Sequence, residues 1–132
     1  MSNRASDLFG TWKLRSYEVW DEQGNVTHPM GPDAIGYAIF STCGTAFVQL
    51  AARGPSQSQL DSKQREERAG SYVAYFGRFE HHPTRAEFSV AVDASNRSQY
   101  IGTTQVRPYL LDGDELVLGI PGQYAARLER CA

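Results

Sequence analysis

Two charged residues in otherwise apolar-patterned segments carry most of the chemistry this sequence can offer. Arg107 stands with Gln105 and Tyr109 on one face of the stretch 101–111, while Val106, Pro108 and Leu110 take the other. Turned into an interior, a guanidinium is costly to bury alone. It would therefore hold a carboxylate, enolate or carbonyl of a bound molecule, or pair with an internal acid. Glu18 is the candidate acid, because it shares the parity of Trp12, Leu14 and Ser16. A carboxyl in apolar surroundings holds its proton more tightly, which suits proton transfer. Each residue has a plainer alternative: an arginine facing solvent, and a glutamate left at a rim beside a turn.

Aromatic side chains on alternating segments supply the wall such a molecule would need. Tyr37, Phe47, Tyr75, Phe79, Phe88 and Tyr109 fall on strand-like stretches, and Ser16 and Gln49 add polar points. Phe88 reads as inward because Glu87 and Ser89 flank it. Tyr75 and Phe79 follow because Arg78 and Glu80 claim the opposite face. These rings either fill a solid core or, with tyrosine hydroxyls among them, line a pocket with a few polar points.

Other reactive residue types point nowhere in particular. His81 and His82 are strand neighbours and so face opposite ways, and no partner has the spacing of a metal site, so no metal is expected. His28 lies in a proline-flanked loop, at a pocket mouth or simply solvated. Cys43 and Cys131 read as free thiols of a reducing compartment. There is no phosphate loop, nucleophile elbow or dinucleotide fingerprint, and no cofactor is expected.

The elements that must position these residues are strands. Apolar and polar residues alternate over 36–41, 45–52, 71–81, 84–93, 101–111, 115–120 and 124–130, as they do from Trp12 onward. Asp21-Glu22-Gln23-Gly24-Asn25, Thr42-Cys43-Gly44 and Asp112-Gly113-Asp114 punctuate them as turns. The stretch 56–68 is almost wholly polar, with Leu60 its one large apolar residue, and reads as a short surface helix or lid. About eight consecutive strands with one short helix predict an all-β fold, a single up-and-down antiparallel barrel over residues 1–132, with a sandwich as runner-up. A barrel of that size either fills with side chains or encloses one small ligand.

Bulk composition narrows the partners. A chain of 132 residues with net charge -2 lacks the basic face that phosphate backbones require, so no nucleic-acid partner is expected. No stretch is apolar for long enough to cross a bilayer as a helix, and the polar first residues do not resemble a leader. A cytoplasmic monomer or homodimer is the expectation.

Several ordered blocks together resemble the bacterial and fungal lipocalin-like domain family, a calycin-type β-barrel. They are Leu8-Phe9-Gly10-Thr11-Trp12-Lys13-Leu14-Arg15-Ser16-Tyr17, the run from His28 to Phe40, Ser71-Tyr72-Val73-Ala74-Tyr75-Phe76-Gly77-Arg78-Phe79, Gly102-Thr103-Thr104-Gln105-Val106-Arg107, and Leu128-Glu129-Arg130. The resemblance spans nearly the whole chain and implies a barrel with an apolar cavity. It further implies either a carrier of a hydrophobic small molecule or a cofactor-free cyclase or isomerase acting on a polyketide- or terpenoid-like intermediate in natural-product biosynthesis. Family members often carry a histidine on the strand that here reads Ala86-Glu87-Phe88-Ser89-Val90, and its absence removes any role resting on it.

Trp12 is expected to plug one barrel end under the guanidinium of Arg130, a structural pair held by cation–π attraction. Ligand contacts then belong at the opposite mouth, with Arg107, Gln105 and tyrosine hydroxyls at the polar end. A structural module with a filled lumen is the least favoured of the three classes.

Overall fold

A computed structural model describes residues 4–54 and 59–131. Of the polar stretch 56–68, residues 56–58 lie outside the described residues. Eight strands form the barrel wall: β1 (Gly10–Trp20), β3 (Ile35–Phe40), β4 (Thr45–Ala51), β5 (Val73–His82), β6 (Glu87–Ser95), β7 (Thr104–Asp112), β8 (Glu115–Ile120) and β9 (Tyr124–Arg130). Each pairs antiparallel with the next, and β1 also pairs with β9, which closes the sheet on itself. A two-residue strand, β2 (Val26–Thr27), caps the upper end of β1. Closure leaves no long unpaired edge. Two helices accompany the wall: α1 (Ala5–Leu8) before β1, and α2 (Ser62–Gly70) between β4 and β5.

The end bearing α1 is sealed. Trp12 is 0% exposed, and its indole Nε1 donates to the Leu8 carbonyl at 2.9 Å, which ties the helix across the opening. Arg130 lies directly opposite Trp12 in the β1–β9 register and sets its guanidinium carbon 4.2 Å from the ring centroid. The same guanidinium donates to the carbonyls of Phe9 at 2.9 Å and Asp7 at 2.8 Å, and pairs with Asp114 at 3.3 Å. One side chain thus satisfies the backbone of the incoming chain and covers the indole.

Above this seal the lumen is filled. Phe40, Phe79 and Phe88 meet with ring centroids 5.1 to 5.5 Å apart, in tilted and edge-on arrangements that favour aromatic packing. Val90, Leu116 and Leu128 join them in the buried interior. Phe88, Val90 and Val92 all face inward, as the alternation of β6 requires.

Two strands carry an extra residue. In β1, Leu14 pairs with Leu128 and Ser16 with Arg127, so Arg15 is a β-bulge. In β6, Gly77 pairs with Val92 and Phe76 with Ala94, so Asp93 is another. Beside that second bulge, a Cβ on Gly77 would strike the backbone carbonyl of Ala91, so the two strands approach closely only because the residue is glycine.

These contacts set two stability tests. Gly77→Ala must part β5 from β6, and urea unfolding is expected to show a loss of ~3 kcal/mol, or no folded protein. Arg130→Met leaves two carbonyls and the indole uncovered and should cost about 2–4 kcal/mol by the same measurement. An unchanged midpoint in either variant would refute the corresponding role.

Candidate functional site

The opposite end of the barrel is open and hollow. It is bounded by the loop 28–34, the helix α2, the loop 96–103 and the turn 121–123, because these connect the strand ends on that side. Within it lies a cavity of about 350 Å³. Its apolar wall comes from inward positions of the strands, chiefly Val48, Leu50 and Leu118, with Met30 from the loop. Four phenol rings stand around it: Tyr17, Tyr75, Tyr100 and Tyr124. Gln105 and Arg107 bring the remaining polar groups from β7. A second hollow of about 420 Å³ continues outward over Tyr17, Met30 and Tyr100 to Glu67 of α2 and Arg97.

The polar groups form an ordered chain. The Thr103 hydroxyl donates to the Tyr100 carbonyl at 2.6 Å and accepts from Gln105 Nε2 at 2.8 Å. That fixes the direction of the carboxamide, whose Oε1 accepts from Arg107 Nη2 at 3.2 Å. Arg107 Nη1 donates to its neighbour's carbonyl, Val106, at 3.1 Å, and the guanidinium carbon sits 5.8 Å from the Tyr75 ring centroid. Tyr75 is only 5% exposed and meets Tyr100 edge-on at 5.9 Å. Burial raises the Tyr75 phenol above its ordinary value, with the charge of Arg107 pulling against the shift. Burial likewise raises Tyr17, with the Tyr100 phenol adding to the shift and Arg107 opposing it. Both hydroxyls keep their protons at neutral pH and can donate them in hydrogen bonds.

Of the residues singled out in the sequence, Tyr75, Gln105 and Arg107 meet at this cavity, and Trp12 and Arg130 meet at the sealed end. Others lie elsewhere. Glu18 and Ser16 do not enter the lumen, because the bulge at Arg15 reverses the parity of β1 beyond Leu14. Glu18 is instead an outer-face residue paired with Arg127 Nε at 2.6 Å. Tyr37, Phe47 and Gln49 also face outward, with Tyr37 49% and Phe47 41% exposed. Their strands place Ala38, Phe40, Ala46, Val48 and Leu50 inside. Phe79, Phe88 and Tyr109 do point inward, yet they belong to the filled half and do not line the cavity. The Tyr109 hydroxyl is occupied by His81 Nε2 at 2.6 Å.

Two tyrosines, Tyr17 and Tyr100, escape a reading of the sequence by strand parity, whereas Tyr124 is inward by that reading and goes unnamed only as a cavity residue. Tyr17 enters through the bulge, and the step from Leu14 to Tyr17, three residues instead of two, is the signal that announces it. Tyr100 reaches the cavity from a single 3-10 turn (Ser98–Tyr100), which strand parity cannot address. Tyr124 starts β9 on the same face as Ala126 and Leu128, so parity within that strand alone identifies it.

The family model for the lipocalin-like domain matches residues 9–129. No curated protein matches the chain. Among solved structures, an uncharacterized protein from Bacteroides eggerthii is 16% identical, with 93% of this chain and 99% of that chain covered and a TM-score of 0.49. A lipocalin-like barrel with one hollow end suits ligand binding in general.

His81, below the cavity, makes stability depend on pH. Burial first, and then the charge of His82, hold His81 below the ordinary value of 6.5, with Asp7 opposing. The unfolded chain therefore binds the proton more readily. The stability that neutral His81 contributes is present above the unfolded value and is lost as pH falls through the folded one. Urea midpoints of wild type should fall more steeply between about pH 7.5 and about pH 5 than those of His81→Asn. Parallel curves would show that His81 carries no such dependence.

Proposed function

From its membership of the lipocalin-like domain family, to which this chain belongs, we propose that it binds one small hydrophobic molecule in the open half of its barrel. The observation that carries this reading is the contrast within one lumen. Below, aromatic rings interlock in the buried core; above, about 350 Å³ stays unfilled beneath a mouth of loops. Apolar walls left hollow forfeit contact energy, and a ligand restores it. The volume lies in the ordinary range for small-molecule sites. The ligand's apolar body lies along Val48, Leu50 and Leu118, and its polar end meets Arg107, Gln105 and the tyrosine hydroxyls.

A second reading makes the same cavity a cofactor-free cyclase or isomerase. The supporting observation is the Tyr75 phenol, buried beside the guanidinium of Arg107. Arg107 would draw electron density onto a substrate carbonyl while the phenol donates a hydrogen bond to it, and the lumen would fix the substrate's shape. Glu18 has no part in either version, since it faces outward.

Blocking the cavity tests the binding reading. Leu118→Trp puts an indole into the hollow half from the middle of β8. Native mass spectrometry of protein taken from its source is expected to show a retained lipophile on wild type. The variant should keep its circular dichroism spectrum but lose the lipophile, with affinity down at least about tenfold. Equal retention by both proteins would refute binding in the lumen. Conversion of the released molecule by wild-type protein would favour the enzyme.

A further inference from the structure

The geometry points to a flat, conjugated oxyanion, such as an enolate or an arene carboxylate, as the class of molecule this cavity takes. Its charged oxygens would sit on Arg107 and its plane among the tyrosine rings. The inference rests on the binding reading above and goes beyond it by fixing both the charge and the shape of the ligand.

Charge is argued from the count of donors and acceptors. Among the described residues, no ion pair includes Arg107, and no aspartate or glutamate lines the cavity around it. Its hydrogen bonds to the carbonyl oxygens of Gln105 and Val106 and to the Tyr75 phenol oxygen engage only part of a five-donor fork. The other polar groups facing the same space include the phenols of Tyr17 and Tyr75, which carry their protons at neutral pH and can donate them. The one strong acceptor nearby, Gln105 Oε1, is already taken by the guanidinium. A lumen with donors to spare and no negative charge is matched by a ligand that brings acceptors and a negative charge.

The anchor is set before any ligand arrives. Thr103 and the Tyr100 carbonyl hold the Gln105 carboxamide, and that carboxamide holds Arg107. Little ordering remains to be done on binding, and the fork geometry matches two oxygens that share one charge. A neutral alcohol offers this fork one acceptor oxygen and no charge, and so uses only part of it.

Shape follows from the rings. Tyr75 and Tyr100 meet edge to face, the guanidinium overlies Tyr75, and Tyr17 and Tyr124 complete the surround. Aromatic faces and a guanidinium plane gain by stacking on another π-system, a gain that a saturated chain does not provide.

Isothermal titration of the full chain with naphthoate, naphthylmethanol and decanoate separates the claims. Wild type is expected to bind naphthoate at least about tenfold more tightly than naphthylmethanol, as a charge-assisted hydrogen bond allows. Naphthoate should also exceed decanoate. In Arg107→Met the preference for acid over alcohol should fall to about one. Arg107→Lys should keep part of the preference, because it retains the charge but loses the fork. Thermal melts establish that the variants are folded, and the wild-type comparison stands without them. The proposal is overturned if the alcohol binds wild type as well as the acid, if the preference survives Arg107→Met, or if decanoate equals naphthoate. Binding of the alcohol alone would leave the lumen a binding site and remove only the oxyanion. Failure of all three compounds at millimolar concentration would refute the oxyanion along with the wider binding reading.

Discussion

Closing a sheet into a barrel obliges one strand to serve two neighbours, and here that strand is β1. Its lower residues pair with β3 and its length from Trp12 to Val19 pairs with β9. The barrel is sealed at one end and open at the other, and one extra residue at Arg15 lets a single strand follow both. Below the bulge, Trp12 and Leu14 face inward and complete the seal. Above it, Tyr17 takes the inward position, and the polar Ser16 and Glu18 pass to the outer face. The Glu18–Arg127 pair lies across the same seam on the outside. The bulge thus decides which residues are structure, which line the cavity and which meet water.

The two halves of the lumen stand in a plain physical relation. Interlocked rings and the Trp12–Arg130 seal give the lower half the density of a protein interior. The upper half is free to stay under-filled because the fold does not depend on it for closure. Hollow apolar space is destabilising in proportion to its size, and it persists here above a rigid floor. Specificity is then left to a few polar groups at the boundary, where the strands still hold geometry but the loops begin.

Much of this could be read from the residues. Alternation identifies the inward face wherever one side of a strand is polar, as at Phe88 between Glu87 and Ser89, or at Tyr75 and Phe79 opposite Arg78 and Glu80. Gln105 and Arg107 share a face for the same reason. Alternation fails where that contrast is missing. In β3, Ile35, Tyr37 and Ile39 on one side compete with Ala38 and Phe40 on the other, so parity does not choose between the faces, and β4 inherits the ambiguity with Phe47 and Gln49. It also fails at the bulge, since a strict period of two carries Glu18 to the wrong side. Phe79, Phe88 and Tyr109 show a third limit: facing inward does not say how far along the barrel axis a residue lies. Tyr100 belongs to a turn, where periodicity has nothing to say.

Arg130 grips the carbonyls of Asp7 and Phe9 while pairing opposite Trp12, so the first and last strands leave the barrel side by side at its sealed end. The order in which the strands follow one another is therefore separable from the way they pair. A circular permutant, joined across that end and reopened at the turn 41–44, would retain every rung of the ladder. The hollow half would be carried unaltered on a chain with new termini.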